Sequence, residues 1–266
     1  MLNIDLIRAK VLGKTFISNI YYFRELDSTN DLAKKLKDED NVLILTDSQT
    51  LGKGRFERKW ESQKEKNLTF TIKKLFKLDD GKNNYVNFFF TYFLLEGVKE
   101  FLNKNFPDVN SEKLQIKWPN DILWDNKKLS GILIESLPNK NECIIGIGLN
   151  VNQKNFNPAY KACSLIEQTK AEINLSKILI HIVHCFSQNL YMLEEGNYDK
   201  IFDLWKKSTR TMGKSVEFTD AENITKKAKI VDFLENGGIK LLMKGEEKVY
   251  YSGDIKIQDS PGKRVK

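Results

Sequence analysis

Histidine and cysteine are scarce in this chain, and the few present do not assemble into a site. The two histidines, His181 and His184, fall with Cys185 on one predicted helix. A His-x-x-His-Cys run matches no standard metal set and has no carboxylate partner, so it reads as helix packing. Cys143, Cys163 and Cys185 lie far apart, with no Cys-x-x-Cys pair. That argues against a disulfide framework and for free thiols in a reducing, cytoplasmic compartment. No apolar run comfortably spans a bilayer: the strongest, Tyr85 to Val98, is interrupted by Asn87 and Glu96 and reads as a buried helix. Met1 to Ser18 scatters its charges and lacks a small-residue cleavage site after an apolar core, so no signal peptide is expected. Nor does one sign of charge dominate: 43 basic and 36 acidic residues are interspersed, for a net +7. This is the pattern of a lysine-rich solvated surface, and it would also suit an acidic protein partner. Low-complexity segments and internal repeats are lacking as well.

What is present is an ordinary globular composition over 266 residues, 41% hydrophobic and 30% charged, room for one large domain or for one medium domain plus a small one. Tyr21 to Phe23 reads as a short strand, and Ser28 or Thr29 caps a helix from about Asn30 to Lys37. Val42 to Thr46 is a continuously apolar strand. Thr50 to Glu65 has no period and is rich in glycine and charge, so a mobile loop is expected. Asn67 to Lys73 alternates as a half-buried strand, and Tyr85 to Lys104 is a long helix whose phenylalanines Phe88 to Phe90 are core. Strands follow at Leu114 to Trp118 and Ile122 to Trp124, with Asp125-Asn126 turning into Lys128 to Ser136. Cys143 to Val151 is a strand whose Gly146 and Gly148 mark a bulge or a close ligand approach. Ser176 caps a helix to about Glu195, and Tyr198 to Ser208 makes another. After Gly213, Val216–Thr219, Lys227–Leu234, Gly238–Met243 and Lys248–Tyr251 fit a small β-barrel. The expected class is α+β: a mixed sheet with helices over 1–210, then a small barrel over 211–266. The tail Gly262 to Lys266 reads as a solvated end.

The densest chemistry lies in Lys117-Trp118-Pro119-Asn120-Asp121 and Lys127-Lys128-Leu129-Ser130-Gly131-Ile132-Leu133. Lysines, an amide and a carboxylate flank short apolar strands, without any nucleophile–base set. Such a mix suits positioning and neutralising anionic oxygens, as phosphoryl or adenylyl transfer requires. A second basic segment, Gly52-Lys53-Gly54-Arg55-Phe56-Glu57-Arg58-Lys59-Trp60, could bring backbone N–H groups and guanidinium groups to an anion, and Trp60 offers a π face. It is no P-loop, lacking the Gly-Lys-Ser/Thr ending. On local composition alone it is a basic surface loop, and Lys128 a solvated hairpin lysine.

Together the segments are more specific. The string from Lys117 to Glu135 resembles the signature of biotin protein ligases. Asp27-Ser28-Thr29-Asn30 looks like that family's helix start, the glycine loop its G-R-G-R-x-G-R-x-W motif, and Ile145 to Asn152 its G-x-G-x-N strand end. The four motifs run in the family's order from Asp27 to Asn152. The resemblance implies the biotin/lipoate ligase catalytic fold followed by an SH3-like barrel. It implies a biotin–[biotin carboxyl carrier protein] ligase, which forms biotinyl-5′-AMP from biotin and ATP and passes biotin to a carrier lysine. On it, Lys128 is the central catalytic residue, with Arg55 and Asp121. Biotin would meet Ser28, Thr29, Asn30, Gln49, Gly52, Lys53, Arg55, Lys128, Gly131, Leu133 and Gly146. ATP would meet Arg55, Arg58, Trp60, Lys117, Asn120 and Asn150. Mg²⁺ should accompany ATP, with help from Asp121, whose other readings are orienting the amine and capping a turn. The resemblance implies as partner the carrier domain of a biotin-dependent carboxylase, and it admits a homodimer, since many relatives form dimers through the central sheet.

Two positions depart from the pattern: Lys53 replaces the usual arginine, and Glu57 the usual glycine. Lysine cannot fork to two acceptors as arginine does, and a non-glycine at positive φ would cost about 1–2 kcal/mol. Only 26 residues precede Asp27, so operator binding through an amino-terminal helix-turn-helix is not expected; a sequence-specific gel shift would contradict this. The rival readings are a lipoate or octanoate ligase on the same fold and a basic nucleic-acid-binding module.

Overall fold

A computed structural model describes residues 1–78, 81–137 and 142–257. The tail 262–266 lies outside the described residues. Seven strands form the first sheet: β1 (Asn19–Phe23), β2 (Val42–Thr46), β3 (Leu68–Leu75), β4 (Leu114–Lys117), β5 (Asp121–Trp124), β6 (Lys127–Leu137) and β7 (Glu142–Leu149). Their order is β1-β2-β3-β7-β6-β5-β4. Only β1–β2 is parallel; the other ladders are antiparallel, so the sheet is mixed as expected.

One face is covered by α3 (Asn83–Asn105), α5 (Leu175–Asn189) and α7 (Tyr198–Lys207). Phe88, Phe89 and Phe90 are all buried, and the Phe88 ring packs 4.7 Å from that of Trp205. The phenylalanine run is core. On the other face α2 (Thr29–Lys35) seats Ala33 on Val42, Ile44 and Ile144. Ser28 is the cap of α2, its hydroxyl accepting from the Asp31 amide at 3.3 Å. Cover on both faces explains why β3 is buried along almost all its length and not half-buried as its alternation suggested. Two more corrections concern helices. α1 (Ile4–Val11), not foreseen, packs on α5 and is held by Asn3 N donating to Ser176 Oγ at 2.8 Å. The α5 cap is therefore Asn174, which accepts from Lys177 N at 3.0 Å, and Ser176 has another use. Short helices α4 (Ile166–Thr169) and α6 (Tyr191–Glu194) complete the set.

The second sheet has β8 (Ser215–Thr219), β9 (Thr225–Phe233), β10 (Ile239–Met243), β11 (Glu246–Tyr250) and β12 (Asp254–Ile257), ordered β11-β10-β9-β8-β12. Strands three places apart in a flat sheet would stand about 14 Å apart. Yet Phe218 of β8 and Tyr250 of β11 have ring centroids 4.4 Å apart, so the sheet curls on itself, as an SH3-like barrel does. It is docked on the first sheet: Trp118 Nε1 donates to the Gly237 carbonyl at 3.0 Å, Tyr85 OH to Glu235 at 3.0 Å, and Trp205 packs on Phe233 at 5.4 Å. One apolar core runs through both sheets. Among the described residues no helix is long and apolar enough to cross a membrane.

Candidate active site

The α2 face of the first sheet carries a floor almost bare of side chains. Pairing sets Gly148 beside both Gly131 and Thr69, Asp121 beside Gly131, and Gly146 beside both Leu133 and Thr71. Removing three side chains from adjacent strands leaves a hollow, and the walls around it enclose a cleft of about 790 Å³. The cleft is lined by Ser28, Thr29, Asn30, Gln49, Lys53, Arg55, Arg58, Trp60, Lys117, Asn120, Asp121, Lys128, Gly131, Leu133, Gly146 and Asn150. Every residue expected in the site thus reaches one cavity except Gly52, which lies behind the wall. A Cβ there would come within 2.6 Å of the Trp60 carbonyl and 2.8 Å of Gln49 Nε2, so glycine lets the loop close on itself.

A one-residue slip aims Lys128. In a regular strand, residues three apart face opposite sides. Between β5 and β6 the register shifts: Ile122 pairs with Ser130 but Leu123 with Lys128. The extra residue, Leu129, is a β-bulge, and it turns Lys128 to the face of Gly131. Lys128 Nζ stands 3.0 Å from where a Gly131 Cβ would sit and 2.7 Å from Asp121 Oδ1. The segment after β7 supports it, with Lys128 N donating to the Lys161 carbonyl at 2.7 Å and Cys163 N to the Lys128 carbonyl at 2.9 Å.

Asp121 is shared. Its second oxygen lies 3.6 Å from Lys117 Nζ. Lys117 also bonds Asp254 Oδ1 at 2.7 Å, and Asp254 Oδ2 accepts from Arg58 at 2.7 Å. Burial would depress the Lys117 ammonium, but Asp121 and Asp254 outweigh it and raise its proton affinity. Burial likewise works against ionised Asp254, but Lys117 and Arg58 hold its carboxyl down to about 2. Arg55 makes no ion pair among the described residues; its polar contact is with the Gly253 carbonyl at 3.4 Å. Burial lowers its proton affinity, only partly offset by Asp121 and Asp254. A desolvated guanidinium without a counterion is a place for an anion.

The glycines Gly146 and Gly148 correct an expectation. β7 pairs regularly with both neighbours, so there is no bulge. The close approach is made by protein side chains: a Cβ at Gly146 would lie 2.3 Å from Asn30 Oδ1, and one at Gly148 2.3 Å from the Trp60 ring. Trp60 lies on the floor with Lys128 Nζ 5.6 Å from its ring centre, and its buried Nε1 has no partner among the described residues.

The glycine loop is closed by its own backbone hydrogen bonds. Gly54 N donates to the Arg58 carbonyl at 2.7 Å and Trp60 N to the Gly52 carbonyl at 2.9 Å, closing a hairpin over the cleft. Phe56 takes the left-handed conformation there, φ 55°. Lys53 is engaged by Asp31 at 2.6 Å. Gln49 Oε1 accepts from Thr29 N at 2.8 Å and Thr29 Oγ1 at 3.0 Å. Asn120 Nδ2 is used on the Ile132 carbonyl. Asn150 Nδ2 donates to the Cys163 carbonyl at 3.1 Å while its buried Oδ1 is left unpartnered among the described residues. Sequence reasoning missed Gly253, Asp254 at the start of β12, and the segment 156–162.

His181 lies 3.3 Å from Glu100, His184 bonds the Lys10 carbonyl at 2.8 Å, and Cys185 is buried. Among the described residues no group of three or more His, Cys, Asp or Glu side chains is placed to hold a metal. Asp121 fits a magnesium ion poorly, since each of its oxygens faces a lysine ammonium.

Residues 22–152 match the model of the biotin/lipoate A/B protein ligase family. Residues 22–152 thus carry a domain of that family. Among ligase relatives, the bifunctional ligase/repressor BirA of Bacillus subtilis is 28% identical over 262 residues, covering 94% of this chain and 76% of that protein. The biotin–[acetyl-CoA-carboxylase] ligase of Mycobacterium tuberculosis is 23% identical over 221 residues, covering 82% and 79%. Among solved ligases, the biotin protein ligase of Aquifex aeolicus in complex with biotin and ATP superposes with a TM-score of 0.76 at 26% identity, covering 92% of this chain and all of that one.

Proposed function

We propose that this chain is a biotin–[biotin carboxyl carrier protein] ligase, using ATP to activate biotin and a carrier lysine to accept it. The observation that carries the reading is the bulge-aimed Lys128, set on the glycine floor of a cleft that Arg55 also lines, an arginine with no ion pair among the described residues. A carboxylate and a phosphate can meet there between fixed cations. Ligase relatives, one of them solved with biotin and ATP, support the substrates.

In the first step a biotin carboxylate oxygen attacks the α-phosphorus. The P–O bond to the β-phosphate breaks and pyrophosphate leaves. Lys128 holds the two anions at attacking distance and offsets developing charge. Asp121 orients Lys128, and Arg55, Arg58 and Lys117 face the phosphates. In the second step the carrier amine attacks the acyl carbon, the C–O bond to AMP breaks, and the amine proton passes to solvent. No enzyme nucleophile is needed. Mg²⁺ supplies charge neutralisation when it arrives on the triphosphate. The loop over the cleft shields the mixed anhydride from water.

The test is ATP–pyrophosphate exchange. Biotin-dependent exchange supports the reading; exchange only with lipoate or octanoate keeps the fold but moves the substrate.

A further inference from the structure

The glycine loop is tied down at two points. Arg58 reaches Asp254 at its far end, and Lys53 reaches Asp31 at its near end. Asp31 is well placed for this. It stands in the first turn of α2, its amide donating to Ser28 Oγ at 3.3 Å, where a carboxylate is favoured by the helix dipole. One oxygen takes Lys53 at 2.6 Å and the other Lys34 at 3.3 Å. Lys34 continues to Glu135 on β6 at 2.7 Å, and Glu135 accepts from Asn30 Nδ2 at 2.8 Å. Asn30 Oδ1 accepts from Thr71 on β3 at 2.6 Å and lies against Gly146. A chain of charge and amide contacts therefore runs from the loop to the floor of the cleft.

We propose that Asp31 is a positioning residue: through Lys53 it holds the loop 52–60 down on the cleft and slows the exit of whatever is bound beneath. Lysine offers one point of charge where arginine offers a fork. Its single ammonium is committed to Asp31, so Lys53 acts on the loop and not on the ligand. The ligand arm of the test rests on the ligase reading; the loop arm does not.

The test compares wild type, Asp31→Asn and Asp31→Glu by limited trypsin digestion at the loop's own Lys53, Arg55, Arg58 and Lys59, and by the rate at which preformed biotinyl-5′-AMP leaves the protein. Exposed ion pairs shift such equilibria by about two- to five-fold. Asp31→Asn is expected to speed loop cleavage and adenylate release by that factor, with the melting temperature unchanged. Asp31→Glu restores both, and 0.5 M NaCl removes the difference between wild type and Asp31→Asn, since an exposed pair is screened. Wild-type cleavage in Asp31→Asn, or equal acceleration in both variants, overturns the proposal. If wild type forms no adenylate the ligase reading fails, and the cleavage comparison still decides the role of Asp31.

Discussion

Adding one methyl group at Gly148 should damage both stability and activity, and the cause should be Trp60 alone. The Cβ of an alanine there would sit 2.3 Å from two indole carbons, whereas carbon atoms pack at about 3.5–4.0 Å. The ring must retreat by about 1 Å or more. It cannot do so freely, because Trp60 N is bonded to the Gly52 carbonyl at 2.9 Å and the ring faces Lys128 at 5.6 Å. Overpacking of this kind costs about 1–3 kcal/mol. Relief of a strand glycine returns about 0.5–1 kcal/mol, so a net loss of about 1–2 kcal/mol is expected for Gly148→Ala. A displacement of about 1 Å over the reacting groups lowers turnover by about 100-fold. The assay is a double-mutant cycle in urea with Trp60→Ala, which removes the obstructing ring. In that background only the glycine relief remains, so Gly148→Ala should stabilise by about 0.5–1 kcal/mol. An equal loss in both backgrounds, or none in wild type, would refute the geometry.

Other consequences can be measured separately. Lys128→Ala should lower ATP–pyrophosphate exchange by about 10²–10³-fold, the loss seen when one charge-stabilising donor is removed. Its melting temperature should move by less than about 4 °C, since the pair with Asp121 is partly exposed; exchange within threefold of wild type would remove Lys128 from its role. Asp254 makes an acid-sensitive contact. Its folded value of about 2 lies below the ordinary carboxylate value of about 3.9, so its contribution is complete above about pH 4 and lost as pH falls towards 2. Asp254→Asn should thus cost about 1–2 kcal/mol at pH 6, discounted for its partial exposure, and the gap to wild type should close between pH 4 and 2. A gap that stays constant across that range would show that Lys117 and Arg58 do not depend on its charge.

Much of the architecture was legible because local and tertiary signals agree. Val42 to Leu45 is an apolar run, and the strand Val42–Thr46 is buried at every residue inside the sheet. Asp125 can take positive φ, and the β5–β6 turn uses it at 52°. Ser28 is the cap that its place before an amphipathic turn suggested. The failures have physical reasons. β12 is four residues of mixed polarity, stable only because β8 pairs with it, so nothing local announced it; Asp254, its first residue, was missed with it. The bulge at Leu129 depends on how two strands align, a property of neither alone. Gly146 and Gly148 were read as a bulge or a close ligand approach; β7 has no bulge, and the groups found against them are Asn30 and Trp60, which lie over 80 residues away in sequence. Ser176 looked like a cap until α1, unread, claimed its hydroxyl. Motif matching found where the charges converge, but not which cation is already paired: Lys53 with Asp31, Lys117 and Arg58 with Asp254, Lys128 with Asp121, while Arg55 has no direct ion pair among the described residues.

The central claim is that the cleft joins a biotin carboxylate to an adenylate. Its most direct test is ATP–pyrophosphate exchange by the purified protein with Mg²⁺, in parallel with biotin, lipoate, octanoate and no acid. The account predicts exchange with biotin alone, lowered about 10²–10³-fold by Lys128→Ala. Exchange with lipoate or octanoate but not biotin, or with no acid at all, would contradict it.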